Sequence, residues 1–172
     1  MIHTARLHLR RARPDDAQAM HDIFTREDAM RYWSTPPHET YDQTERWVEG
    51  MVNASPDTSD DFIVVHEGRV IGKCGAWSLP EVGFIFHPDH WGQGFAREAL
   101  EAVIAHLFRT HDLDTLTADV DPRNAASIRL LTKLGFVETH RAERTLKWRD
   151  EWCDSVYFAL SRATATGAAA RS

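Results

Sequence analysis

One short stretch of the chain holds a carboxylate at Glu81, an imidazole at His87, and glycines at Gly92 and Gly94. A carboxylate and an imidazole are the groups that most often take a proton near neutral pH. After the glycines come apolar residues at Ala96, Ala99, Leu100, Val103, Ile104, Leu107 and Phe108, the spacing of one helical face. The first amides of a helix lack internal acceptors and sit at the positive end of its dipole. A glycine loop that feeds such a terminus can therefore seat a phosphate. The same residues also read as a plain strand-to-helix turn with two convenient glycines. No Gly-Lys-Ser/Thr follows the loop, so it is not a nucleoside-triphosphate loop, and it lacks the third glycine of a dinucleotide fingerprint.

Each candidate has a second reading. Glu81 is either a base or an exposed strand-end glutamate, and His87 is either the alternative base or a histidine held beside Pro88. Arg97 either adds a charge-assisted bond to a phosphate or lies on the solvated helix face. Further along, Asn124 is a good helix cap, and Ser127 in the first turn can bond to its own helix backbone. His87-Pro88-Asp89-His90 suggests a metal at first sight, but Pro88 marks a strand end, and the ten histidines are scattered, so no metal is expected. Cys74 lies mid-strand between glycines, where an inert buried thiol is the default.

Composition narrows the function further. The chain has 172 residues with 42% hydrophobic and 27% charged content, which suits one soluble domain. Its net charge of −6 disfavours nucleic acid as a partner and suits a cationic acceptor such as an amine. No apolar run approaches the roughly 20 residues of a membrane span, and the basic Met1–Arg13 segment leads into no secretory core. Two cysteines make no disulfide framework, which points to a reducing compartment, the cytoplasm.

The elements that must position these groups follow from periodicity. Residues 5–12 alternate around Leu7 and Leu9 as a first strand. Pro14-Asp15-Asp16 opens a helix with Ala17, Met20 and Phe24 inward. A connector over 25–39 leads to Thr40-x-x-Gln43, a capping box, and a helix buried on Trp47, Val48, Met51 and Val52. The strands 62–66 and 69–77 are joined by Glu67-Gly68, a hairpin signal, and Ser78-Leu79-Pro80 turns into the strand of Glu81. After the glycine-loop helix come a strand over 113–120 and a helix capped by Asn124 and closed by Gly135. Two paired strands, 136–148 and 151–160, end the expected domain. Residues 161–172 are small and polar, and they read as a disordered tail beyond a single α/β domain at 1–160.

Gly94 and Ala96 fit the last two fixed places of the Arg/Gln-x-x-Gly-x-Gly/Ala loop, and Trp91 departs from the first. In this the chain resembles the GNAT N-acetyltransferases. Asn124-x-x-Ser127…Gly135-Phe136 resembles the family's second signature, and the form Trp91-Gly92-Gln93-Gly94-Phe95-Ala96, the Leu7–Arg10 run and Trp152-x-Asp154-Ser155 resemble its Rim-type branch, the ribosomal-protein N-terminal acetyltransferases. The resemblance implies a mostly antiparallel twisted sheet of about seven strands with helices on both faces. It implies acetyl-CoA as co-substrate, with the amides of Gln93, Gly94, Phe95, Ala96 and Arg97 at the pyrophosphate, Gly92 in the same loop, Trp91 packed beneath it, Asn124 on the pantetheine arm and Ser127 also at the cofactor. Backbone amides around Phe84, Ile85, Phe86 and His87 would face the thioester in the manner of an oxyanion hole.

Glu81 would serve as the base, directly or through water, with His87 as the alternative. Ser127 would be the acid, since the position of the family's tyrosine is Leu131. The acceptor would be a primary amine, on a protein N-terminus or a small molecule, attacking directly in a ternary complex. The expected assembly is a monomer or homodimer. A non-catalytic acyl-CoA sensor of the same fold is the alternative.

Overall fold

The computed structural model describes residues 1–169. It opens with β1 (Ile2–His3) and β2 (Leu7–Arg10), a hairpin closed by the Thr4 amide donating to the Leu7 carbonyl at 3.0 Å. The Arg10 guanidinium then grips both oxygens of buried Asp16 at 2.6 and 2.8 Å, fixing the entry into α1 (Ala17–Phe24). A short α2 (Glu27–Met30) lies inside the expected connector, ahead of α3 (Tyr41–Asn53). Gln43 Oε1 accepts from the amides of Glu39 and Thr40 at 2.7 and 3.2 Å, which is the returning half of the capping box.

The sheet continues through β3 (Asp60–His66), β4 (Arg69–Ser78) and β5 (Glu81–Phe86). Glu67 and Gly68 turn the β3–β4 hairpin at φ 48° and 78°. Beyond the glycine loop run α4 (Phe95–Thr110), β6 (Thr115–Val120) and α5 (Ala125–Lys133). The long hairpin of β7 (Val137–Trp148) and β8 (Glu151–Ser161) follows, and α6 (Arg162–Ala169) comes last. The strand order is β1-β2-β3-β4-β5-β6-β8-β7, and only β5–β6 is parallel. The sheet has eight strands, close to the expected seven, because Ile2–His3, ahead of the strand expected over 5–12, forms an edge strand of its own.

Alternation along the strands divides the interior into two layers. Val82 and Phe86 face α4, whose Phe95, Ala99, Leu100, Val103, Ile104, Leu107 and Phe108 are all buried. Ile63 and Ile85 face the opposite side and meet Met20, Ile23, Phe24, Met30 and Val48 from α1–α3. Each large buried side chain contributes about 1.5–3 kcal/mol. Helices therefore cover both faces, as expected.

The expectation of a loose tail from 161 onward is corrected. Arg162 donates to the carbonyls of Leu113, His111 and Phe108, which anchors the first turn of α6 to the end of α4. One long guanidinium does this without any apolar periodicity that the sequence would reveal. Residues 170–172 of that tail lie outside the described residues. No helix among the described residues is long and apolar enough to cross a membrane.

Candidate active site

The site begins where the sheet splits. β5 and β6 run parallel but share only one register pair, Glu81 with Thr117. Beyond it they diverge, so the edges of β5 from Gly83 to Phe86 and of β6 from Asp119 onward face an open wedge. An antiparallel residue turns its N–H and C=O toward the same neighbour, and successive residues alternate. The His87 amide donates to the Ile71 carbonyl at 2.8 Å, so it points to β4, and so does Ile85 two residues earlier. Phe84 and Phe86 therefore face the wedge. Of the amides around Phe84, Ile85, Phe86 and His87, the wedge receives those of Phe84 and Phe86.

At the wedge mouth lies the glycine loop. Gly92 and Gly94 adopt φ 73° and 82°, left-handed values that favour glycine, and Gly94 caps α4. The first intrahelical bond runs from the Glu98 amide to the Gly94 carbonyl at 3.0 Å, which leaves the Phe95, Ala96 and Arg97 amides without helical acceptors. The Gln93 side chain donates to the Asp89 carbonyl at 3.0 Å. Arg97 pairs with Glu101 at 2.8 Å on the exposed helix face, so its guanidinium takes the solvated alternative. Trp91 does not pack beneath the loop as expected. It is 50% exposed, and its indole N–H donates to the Phe86 carbonyl at 2.9 Å, satisfying a strand-end acceptor that β6 has left.

Across the sheet lies a cavity of about 390 Å³ whose wall includes Tyr32, Trp33, Trp77, Glu81, Asp119 and Tyr157. The Glu81 carboxylate accepts from Trp77 Nε1 at 3.2 Å. Partial burial pushes its carboxyl above the ordinary value, and the charge of Asp119 adds to that rise against the Trp77 bond. Asp119 is raised as well, by partial desolvation first and then by the charge of Asp121, with the Ser155 hydroxyl pulling the other way. Ser155 Oγ in turn lies 2.7 Å from Thr145 Oγ1, brought inward by the break in β7–β8 register between Ala142 and Leu146. Asp121 is held by both ends of Arg123, at 2.7 to 2.9 Å, and Arg123 also reaches Glu151 at 2.7 Å. Among the described residues Glu81 and Asp119 form no ion pair.

His87 stands at the opposite end of β5 from Glu81, roughly 20 Å along the strand. Its Nδ1 accepts from the Asp89 amide at 3.2 Å, which holds the ring beside Pro88. Asn124 caps α5 by accepting from the Ser127 amide at 3.2 Å, and the Ser127 hydroxyl makes no hydrogen bond among the described residues. Burial drives the Cys74 thiol pKa far up, as its mid-strand position suggested.

Sequence reasoning missed Asp119, Trp77 as a partner of Glu81, and the β7–β8 hairpin as a wall. Asp119 had a signal: it alternates with the apolar Leu116, Ala118 and Val120, which turns it to the face opposite theirs. The hairpin had none. Its tip is tied down by Trp148 Nε1 on the Thr35 carbonyl at 3.1 Å and by Arg149 on Glu27, contacts more than a hundred residues apart in the chain.

The family model described as an acetyltransferase (GNAT) domain matches residues 6–137. An uncharacterized N-acetyltransferase, p20, of Bacillus licheniformis is 28% identical over 144 residues, covering 78% of this chain and 81% of the relative. Among solved structures, the spermidine N-acetyltransferase of Vibrio cholerae in complex with CoA and spermine superposes with a TM-score of 0.80 at 21% identity, covering 95% and 99% of the two chains. RimL, a ribosomal L7/L12 alpha-N-protein acetyltransferase in complex with coenzyme A, superposes with a TM-score of 0.79 at 16% identity, covering 92% and 95%.

Proposed function

The chain belongs to the acetyltransferase (GNAT) domain family, and on that premise we propose that it carries acetyl from acetyl-CoA to a small cationic primary amine by direct attack. The observation that carries this reading is the single-pair contact of β5 and β6. In this reading the gap lets the cofactor reach from the α4 amides toward the cavity lined by Glu81 and Gly83.

In this reading coenzyme A lays its diphosphate on the amides of Gln93 to Arg97 and its pantetheine arm along the wedge, with Asn124 beside it. The amides of Phe84 and Phe86 meet the thioester oxygen as charge develops there. The amine enters the acidic, aromatic cavity, where cation–π contact and two unpaired carboxylates favour a cation. Glu81 takes the proton, directly or through water, and the nitrogen attacks the carbonyl carbon. The C–S bond then breaks, and the Ser127 hydroxyl relays the remaining proton of the attacking nitrogen to the departing thiolate, so the serine ends as it began. A thiol pKa of roughly 8.5 makes that help modest. His87, bonded at Nδ1 and remote from the cavity, is the weaker base. The deeply buried, protonated thiol of Cys74 suits direct attack better than an acetyl-cysteine carrier. Unpaired Cys74 and Cys153 fit a reducing compartment, and we place the enzyme in the cytoplasm.

Two relatives favour different acceptors, a polyamine and a protein N-terminus. The tied-down β7–β8 tip and the 390 Å³ volume support the small molecule over an extended peptide. The test is coenzyme A thiol release from acetyl-CoA against spermidine, simple monoamines and peptides with a free N-terminus. Turnover confined to the peptides would reverse the choice of acceptor, and binding of acetyl-CoA without turnover would favour a sensor.

A further inference from the structure

The first strand reaches the glycine loop through one side chain. Arg6, between β1 and β2, donates from Nη1 to the Gln93 carbonyl at 2.9 Å and from Nε to Glu98 Oε2 at 2.7 Å. Its guanidinium stacks 4.4 Å from the centre of the Phe95 ring, and its Nη2 lies 3.4 Å from where a side chain on Gly94 would begin. Glu98, in the first turn of α4, is gripped from the same segment: Oε1 accepts from Thr4 Oγ1 at 2.6 Å and from the Arg6 amide at 2.8 Å. Partial burial pushes the Glu98 carboxyl up, but these donors from Thr4 and Arg6 outweigh it and hold the group below its ordinary value.

We propose that Arg6 is a positioning residue for the diphosphate seat, acting through the Gln93–Gly94 peptide and through Glu98. This rests on the reading of the 91–97 loop as that seat. The peptide is planar and trans, so its C=O and N–H point in opposite directions. Holding the Gln93 oxygen toward Arg6 turns the Gly94 N–H away from it, to the side where the ligand lies. The loop would otherwise be free to rotate this peptide, since left-handed glycines resist little. The second effect is electrostatic. An ionised Glu98 in the first turn would repel a diphosphate at the helix entrance, and the guanidinium cancels that charge. Arg6 itself stands behind the loop and needs no contact with the ligand.

Calorimetric titration with coenzyme A tests this in wild type, Arg6→Met and Arg6→Lys, together with the melting temperature of each unliganded protein. Methionine keeps the apolar stem over Phe95 and removes every donor, whereas lysine keeps the charge and one donor direction. Arg6→Met is expected to weaken coenzyme A binding by about tenfold or more, and Arg6→Lys to recover part of it, with unliganded melting temperatures close to wild type. If wild type binds no coenzyme A, the loop reading itself falls. If wild type binds and Arg6→Met binds within about twofold of it, the seat stands and the role of Arg6 is overturned. It is also overturned if Arg6→Met and Arg6→Lys lose affinity equally and both melt well below wild type, the pattern of a mere structural brace.

Discussion

At the scale of single residues, the proposed chemistry rests on Glu81 and its surroundings. Glu81→Gln is expected to lower kcat by about 10²–10³ while acetyl-CoA still binds, as for loss of a positioned base. Ser127→Ala should cost less than about tenfold, because the thiolate leaves readily without help. Equal losses in kcat would refute that ranking. The base works only when deprotonated, so the rate falls as pH drops through the pKa of Glu81. Burial and Asp119 raise that pKa, placing the acid limb of kcat/KM above the ordinary glutamate value of about 4.3. Asp119→Asn removes a like charge and should move the limb to lower pH. Trp77→Phe removes a bond to the carboxylate and should move it higher. A pH series on the three proteins checks both signs. The place of Glu81 at the head of a strand was legible because Val82, Phe84 and Phe86 alternate after it, and its role as base came from the family resemblance alone. Trp77 was not legible, since a tryptophan four residues earlier has no reason in sequence to fold back across a hairpin onto it.

Among the elements, the wedge depends on how closely the β strands run. Gly72 of β4 lies so near β5 that a Cβ there would fall 2.2 Å from the Ile85 carbonyl. Gly72→Ala must push β5 aside, and thermal unfolding should show a loss of stability. Gly94→Ala has a different cost. Its φ of 82° strains any side chain, so coenzyme A affinity should fall more than the melting temperature does. Hairpins, caps and helix faces were readable because each is written in a few neighbouring residues: Glu67-Gly68, Thr40 with Gln43, and Asn124. The eighth strand and α6 were not. Ile2–His3 is too short for periodicity, and α6 is set by Arg162 reaching the end of α4.

In the molecule as a whole, two cores back onto one sheet, and a buried ion pair joins two of its strands, β3 and β4, beside the cavity of Glu81. Lys73 is 1% exposed, lines the cavity near Trp33, and meets Asp61 at 2.6 Å. Burial drives the Asp61 carboxyl up, against the pull of Lys73. Lys73→Ala leaves that carboxyl alone in the interior and should cost about 3–5 kcal/mol, read from the urea midpoint. An alternating strand with a lysine at its centre gives no sign of this. Its partner lies on another strand, and pairing is a property of the fold.

The most direct test of the account is the initial rate of thiol release from acetyl-CoA with spermidine, for wild type and Glu81→Gln, beside acetyl-CoA affinity for each. The account predicts amine-dependent release by wild type, a fall of about 10²–10³ in the variant, and unchanged acetyl-CoA affinity. Undiminished release by Glu81→Gln, or no release with the amine present, would contradict it.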